Sequence, residues 1–515
     1  VAETPTSQHE TALSDLDFAD VSESDWEAAA EGALRGEPLS SLHTMLLGGI
    51  ETAPLYTAHR HSTEADPSGL PGSAPFTRGA AAASGARGWE LRQIHDVRLA
   101  GTPDAVAVDT TSGVDAVTVA RGWDADGDAA ALAAGIGDAA GAGVTIHLQS
   151  GASPAQAAAL LDVFARHGVD LAGLRSWFGL DPIAAAASGW RPADSGDSAA
   201  LVSVMCSAAR SAAGIAQRSP RAVPLEADGS VFADAGASDA TELAAMLATG
   251  VAWLRVICDN ADGPGLDPAA AARLVGFTLS AGPDAFLVTA KCRAMRMCWT
   301  RVLGACGVDV AGDDGPSMRL HAVTATAMLS ALDPWVNMLR ATTASFGAAN
   351  GGVDAITVRP FDTVSAGQAS SSLGWRVAAN TQLILRHESR IGSVIDPAGG
   401  SWYIEDLTRK LAHAAWDRFR EIEATGGMCA ALAGGELETS IAAERALRNE
   451  QIATGEHLLV GVTDFVDSQA EQASAVSVSA GEPAGPPGVG LGVHRWAAPY
   501  EAETAGETVT GAAGS

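Results

Sequence analysis

From Trp89 onward the chain alternates short β-branched or apolar runs with alanine-rich stretches of helical period, the pattern of repeated βα units on a parallel sheet. Eight such runs are present: Trp89–His95, Asp115–Ala120, Gly143–Gln149, Asp170–Arg175, Ala222–Glu226, Val251–Ile257, Met318–Val323 and Val353–Arg359. Helices with legible starts lie between them. Ser153 precedes Pro154, and Gln156 follows three positions after the serine, giving a capping box with proline at the first helical position. Ala157, Leu160, Leu161 and Phe164 then form one apolar stripe. Asp239 with Glu242 opens a second helix and Asp267-Pro268 a third, whereas the first crossover, around Asp104–Val108, shows no legible helix. The eight alternations match an α/β fold of the closed (β/α) TIM-barrel type better than an open doubly wound sheet of about five or six strands.

The flanks differ from this pattern. Residues 1–70 read as a polar, extended arm with a helix near Ser24–Leu34, expected to wrap a partner; the barrel is expected over 71–405. Residues 406–465 read as a helical segment with Trp416, Phe419 and Ile422 on one face, and 466–515, rich in Ser, Ala, Glu, Pro and Gly, as linker or disordered tail.

The 61 acidic and 32 basic residues give a net charge of −29, which repels phosphate backbones and anionic headgroups. Neither nucleic acid nor membrane surface is an expected partner, and an anionic substrate would need a local basic pocket. The six cysteines show no repeated short spacing and read as reduced thiols. The first thirty residues have no basic start or apolar core of a secretory signal, and the longest uncharged stretch, Ala139–Leu161, is broken by polar residues. A cytoplasmic location is expected.

Isolated motifs say little. Gly488, Gly490 and Gly492 mimic a phosphate loop but follow Pro486-Pro487 rather than a strand, and His59-Arg60-His61 has the spacing of a metal pair but sits in the polar arm, so no metal site is expected. Arg87 and Arg92 flank the first strand, and Lys291, Arg293, Arg296 and Arg301 share one long helix. Arginine forks suit phosphate, but a solvated or partner-facing surface fits the spacing equally.

Longer stretches carry a specific resemblance. Gly49-Ile50 with Pro54-Leu55-Tyr56-Thr57, Pro75-Phe76-Thr77-Arg78-Gly79, Trp89-Glu90-Leu91-Arg92-Gln93 and the run Ala290–Trp299 are similar to stretches of the adenosylcobalamin-dependent acyl-CoA mutases, above all methylmalonyl-CoA mutase. So are Ala379-Asn380-Thr381-Gln382, Glu388-Ser389, Val394–Tyr403 and Gly426-Gly427-Met428. The resemblance implies a reaction in which cobalt–carbon homolysis starts a radical rearrangement between (R)-methylmalonyl-CoA and succinyl-CoA, with the CoA ester threaded through the barrel.

Set against catalytic chains of that family, this sequence lacks the polar groups. Ile94 follows Arg92-Gln93 where they carry tyrosine, Ser230-Val231 stand where they carry Tyr-His, and Val323 and Ala325 replace a His-x-Gln pair. Valine gives a developing oxyanion no donor. The Asp-x-His-x-x-Gly motif of the cobalamin domain does not occur, so no cobalamin-binding domain is expected here. The resemblance therefore implies a small, non-catalytic subunit in a heterodimer with a large catalytic chain that holds adenosylcobalamin and the CoA ester. Arg87, Arg92, Arg293 and Gln382 are expected as vestiges of CoA binding. The alternative is the substrate-binding chain of a split acyl-CoA mutase with a separate cobalamin-binding subunit.

Overall fold

A computed structural model describes residues 21–58, 68–80, 88–99, 101–189, 197–312, 315–365, 370–466 and 491–504. The arm holds a short antiparallel hairpin, β1 (Thr44–Leu46) and β2 (Ile50–Thr52). Eight further strands follow: β3 (Glu90–His95), β4 (Ala116–Val119), β5 (Thr145–Leu148), β6 (Trp177–Leu180), β7 (Val223–Asp228), β8 (Val275–Ala281), β9 (Arg319–Thr324) and β10 (Ala355–Thr357). They form one parallel sheet in the order β5-β4-β3-β10-β9-β8-β7-β6. The first and last of the eight are neighbours, so the sheet curls into the expected TIM-type barrel, with helices outside it.

Closure falls between β5 and β6, where a single bridge, Ala152 to Leu180, replaces a ladder. The Gly151 and Ala152 amides donate to the Gly179 carbonyl at 3.0 and 2.9 Å, and the Trp177 amide donates to His147 Nδ1 at 2.8 Å. Gly179 has φ +59°, and a Cβ there would lie 2.5 Å from the Gln149 carbonyl oxygen. The seam therefore requires glycine at this position.

Six of the eight strands lie where the sequence places them, and two do not. Asp170–Arg175 is turn and loop, with β6 starting at Trp177. Val251–Ile257 belongs to the helix Asp239–Cys258, and the sixth barrel strand is β8. That apolar run is helical because it is buried on nearly every side: Trp253 donates to the Glu226 carbonyl at 2.9 Å on the barrel side, and the helix Trp402–Ala424 lies across the outside. The first crossover does contain a helix, Thr102–Thr111, with Pro103 in its first turn; it buries Thr102, Val106 and Asp109, which are too mixed to show a stripe. The capping box at Ser153 forms as expected, Asp267 caps its helix, and the helix expected from Asp239 is capped one residue earlier, by Ser238.

After the barrel come the helices Trp402–Ala424, Met428–Gly434 and Glu436–Ala453. In the stretch expected to be linker or tail, residues 491–504 pack back on the barrel. The Leu491, His494 and Trp496 amides donate to the carbonyls of Ala187, Asp234 and Ala327 at 2.6, 2.6 and 2.9 Å. Arg495 makes two bonds to Glu501, both 2.6 Å, and Glu501 accepts from the Ala331 amide at 2.8 Å. This strap spans the loops that follow β6, β7 and β9, its polar pairs being internal and therefore invisible to composition. Two helices, Ser198–Arg218 and Asp239–Cys258, are long and apolar enough to cross a membrane by length and composition; the second is largely buried beside the sheet.

Gly179→Ala is expected to destabilise the chain by about 2–4 kcal/mol, read as a lower urea midpoint. An unchanged midpoint would mean that the seam does not depend on this contact.

Candidate functional site

Strand alternation decides which side chains enter the lumen. On β3, Leu91 packs outward with Val114 and Ala379, Gln93 donates to the Trp375 carbonyl at 3.2 Å, and His95 stacks on Trp375 with ring centroids 4.8 Å apart. Glu90, Arg92 and Ile94 therefore face inward. The parallel register sets Thr357 beside both Arg92 and Val323, and Thr278 beside both His321 and Asp228.

The middle of the lumen is filled by a polar layer. The Arg92 guanidinium lies 4.6 Å from the Trp177 ring centroid, reaching from β3 to β6, while its Nε donates to Glu90 at 2.6 Å. Gly276 makes room for that ring, since a Cβ there would come within 2.6 Å of it. His147 Nε2 bonds Glu90 at 2.9 Å, and because Nδ1 already accepts from the Trp177 amide, Nε2 carries the proton. On the other wall Thr278 donates to Glu226, His321 Nδ1 meets Thr278 Oγ1 at 3.0 Å, and His321 Nε2 meets Thr357 Oγ1 at 2.9 Å. The Trp177 and His321 rings meet edge to face at 6.1 Å, joining the two walls. Arg92, Trp177, Glu226 and His321 are all buried.

Electrostatics follow from this packing. Burial and the Arg92 charge lower His147 to about 4 against the pull of Glu90, and burial holds His321 well below the ordinary histidine value. Both rings are neutral, with both nitrogens engaged. Although burial pushes Glu90 up, Arg92 and His147 outweigh it and hold the carboxyl well below the usual range. Burial and the Asp228 charge push Glu226 up to about 8, and burial pushes Asp181 up to about 7. Asp181 caps the helix Pro182–Ala187 and also accepts from the Asp228 amide at 3.0 Å. No histidine of this layer has a nitrogen free to act as a base on a lumen ligand.

The positions singled out in the sequence scatter. Arg87 lies outside the described residues, as do His59, Arg60 and His61 and Gly488 and Gly490. Arg92 is in the polar layer and Val323 stands level with it, while Ile94 and Ala325 stand on the inner face nearer the C-terminal mouth. Ser230 bonds Asp228 at 2.6 Å, and Val231 is half-buried beside it. Gln382 and Arg293 lie outside the barrel. Gln382 accepts from Trp89 Nε1 at 2.9 Å, and Arg293 bonds Asp396, Glu405 and Thr408. The structure does not bring Arg92, Arg293 and Gln382 together; Arg293 is held by protein partners, and Gln382 is bonded through Oε1 while its buried Nε2 has no partner.

The basic helix is neither an anion pocket nor, apart from exposed Arg301, a solvated face. Lys291 pairs with Asp239 at 2.7 Å and with Glu242, and donates to the Ser280 carbonyl at 2.9 Å; Arg296 donates to the carbonyls of Gly351 and Gly352. Among the described residues no three His, Cys, Asp or Glu side chains are placed to hold a metal.

Asp396 accepts from Arg293 and from Arg78 Nε, the latter at 2.8 Å. Three of the quoted stretches thus meet at one carboxylate. A family model described as methylmalonyl-CoA mutase matches residues 143–482. The chain belongs to the methylmalonyl-CoA mutase family. It is similar to the methylmalonyl-CoA mutase small subunit of Streptomyces virginiae, 38% identical over 464 residues, or 87% of this chain and 71% of the relative. The probable small subunit of Mycobacterium tuberculosis (strain ATCC 25618 / H37Rv) is 36% identical over 91% of this chain and 72% of its own length. That of Propionibacterium freudenreichii subsp. shermanii is 32% identical over 87% and 69%.

In this member of the mutase family the polar layer of His147, Glu226, Thr278, His321 and Thr357 was not singled out from sequence. The available signal was polar residues at inward spacing within apolar strands. Asp396→Asn removes the more deeply buried of the two carboxylates paired with Arg293, Glu405 remaining, and is expected to cost about 1–3 kcal/mol, read by urea unfolding; a loss under about 0.5 kcal/mol would deny the cluster its role. Glu226 holds its proton more tightly folded than at the ordinary 4.5, so its contribution is lost as pH rises from 4.5 to about 8. Glu226→Gln is therefore expected to flatten the fall in urea midpoint between about pH 6.5 and 8.5. A slope equal to wild type would place the titration elsewhere.

Proposed function

We propose that this chain is the small, non-catalytic subunit of a heterodimeric, cytoplasmic, adenosylcobalamin-dependent methylmalonyl-CoA mutase, and that it stabilises a homologous large chain holding both the cofactor and the CoA ester. The observation that carries this reading is the filled lumen. A CoA chain threading the barrel would have to separate Arg92 from the Trp177 ring and break the Glu90–His147 bond, which together cross the lumen.

The residues toward the C-terminal mouth support the same reading. Adenosylcobalamin supplies radicals by cobalt–carbon homolysis, and a chain using it needs donors facing the ester carbonyl and an open face for the corrin. At the positions where catalytic chains of the family carry polar groups, Ile94, Val231, Val323 and Ala325 have no side-chain donor, and Arg359 is the cation level with Ile94 and Ala325 on the inner face. The strap at 491–504 runs over the loops after β6, β7 and β9. These residues do not fit the cofactor, and no step is routed through it on this chain. The small-subunit relatives support the partner: a subunit so named implies a large one.

The test is isomerisation of methylmalonyl-CoA to succinyl-CoA with added adenosylcobalamin, by this chain alone and by the chain co-expressed with its large homologue. Turnover is expected only from the pair, and Trp177→Ala in this chain is expected to leave kcat within about twofold. Turnover by this chain with a cobalamin-binding protein that lacks a barrel would overturn the reading and make it the substrate-binding chain.

A further inference from the structure

We infer that the C-terminal end of the lumen is a binding site for a small oxyanion, a carboxylate or phosphate group, held by Arg359. The register puts Thr357 level with Arg92 and Val323, so two residues further along, Arg359 stands level with Ile94 and Ala325 on the inner face. Its backbone amide donates to Thr324 Oγ1 at 2.8 Å and its Nε to the Thr324 carbonyl at 3.2 Å. Those bonds fix the guanidinium by one edge. Neither Nη group has a hydrogen-bond or ion-pair partner among the described residues, although Arg359 is only 8% exposed.

This sets Arg359 apart from the other buried cations. Lys291 and Arg293 are paired with carboxylates, and Arg296 gives both Nη groups to carbonyls, only its Nε being unpaired. A guanidinium this enclosed, whose Nη groups meet no protein acceptor, is completed by solvent or by a ligand. The nearest acid does not: Asp234 feels the Arg359 charge, but its carboxylate accepts from the Thr326 and Ala327 amides at 2.9 and 3.1 Å and forms no ion pair with the arginine. Ile94, Val323 and Ala325 bring no polar atoms to compete. Solvent enters from this end, because Ile94 is half-buried whereas Arg92, two residues toward the N-terminal mouth on the same face, is buried. Arg359 thus brings one fork of donors to the inner face beyond the polar layer. A guanidinium edge matches a carboxylate or phosphate through paired bonds, and the last strands of a barrel offer their C-terminal ends to such groups. The inference stands whether or not the chain takes part in catalysis.

Equilibrium dialysis of the full chain against radiolabelled inorganic phosphate and, separately, radiolabelled acetate tests it. One saturable site per chain is expected for at least one anion, weakened about tenfold or more in Arg359→Gln and by less in Arg359→Lys, which keeps the charge without the paired fork. Binding by phosphate alone or acetate alone supports the site and assigns its ligand class. Arg359→Gln should also melt no lower than wild type in anion-free buffer, since it removes an uncompensated charge. Equal binding by wild type and Arg359→Gln, no binding of either anion at up to about 10 mM, or a lower melting point of Arg359→Gln without anion would each overturn the inference.

Discussion

Much of the outer architecture depends on one helix, Ala285–Ala305, which carries three buried cations along its length. Lys291 ties it to the helix Asp239–Cys258 and to the end of β8 through the Ser280 carbonyl. Arg293 ties it to Asp396 and to the helix Trp402–Ala424. Arg296 ties it to Gly351 and Gly352, which end the helix Pro334–Asn350. Buried pairs of this kind add little over a well-packed apolar contact, but an unmatched member costs several kcal/mol. Their effect is selective. A packing arrangement that slid any of the neighbouring helices by a turn would leave a cation without its partner, so the three contacts together admit one placement of the outer layer around the barrel.

The same logic explains how the family fold can be held by contacts that stand apart from the lumen. The stretches that identify the family meet at Asp396, outside the lumen, and serve the placement of helices. The lumen is a separate matter. Small eight-stranded barrels fill their interior with side chains, and here the filling is polar: two neutral histidines, a stacked arginine and a protonatable carboxyl, cross-bonded between opposite walls. That layer crosses the axis of the barrel and lies beneath Arg359.

The sequence made the barrel legible because most of its strands are short apolar runs bounded by capped helices. It failed where a local signal pointed the wrong way. Val251–Ile257 has strand composition yet is helical, since it is buried on nearly every side, Arg255 being exposed, and periodicity fades when most faces are buried. The true strand, β8, was hidden by the glycine and serine that its inner face needs, Gly276 for the Trp177 ring and Ser280 near the end. The basic helix looked like surface because its acids are remote: Asp396 and Glu405 lie 103 and 112 residues away in sequence. Arg92 was legible as a candidate. Its partners, Trp177 and His147, stand on strands whose closeness only barrel closure creates.

Closure itself has one further consequence. A complete barrel has no sheet edge, and so presents no unpaired row of amides and carbonyls to another chain. Here β5 and β6 are joined by one bridge, two amide bonds to Gly179 and a histidine nitrogen standing in for a carbonyl. These two strands are the termini of the sheet order. When His147 gains a second proton its ring can no longer accept from the Trp177 amide, and the seam loses a bond at its first residue. Acid would thereby weaken the seam at Trp177, while the amide bonds to the Gly179 carbonyl still hold the two borders together.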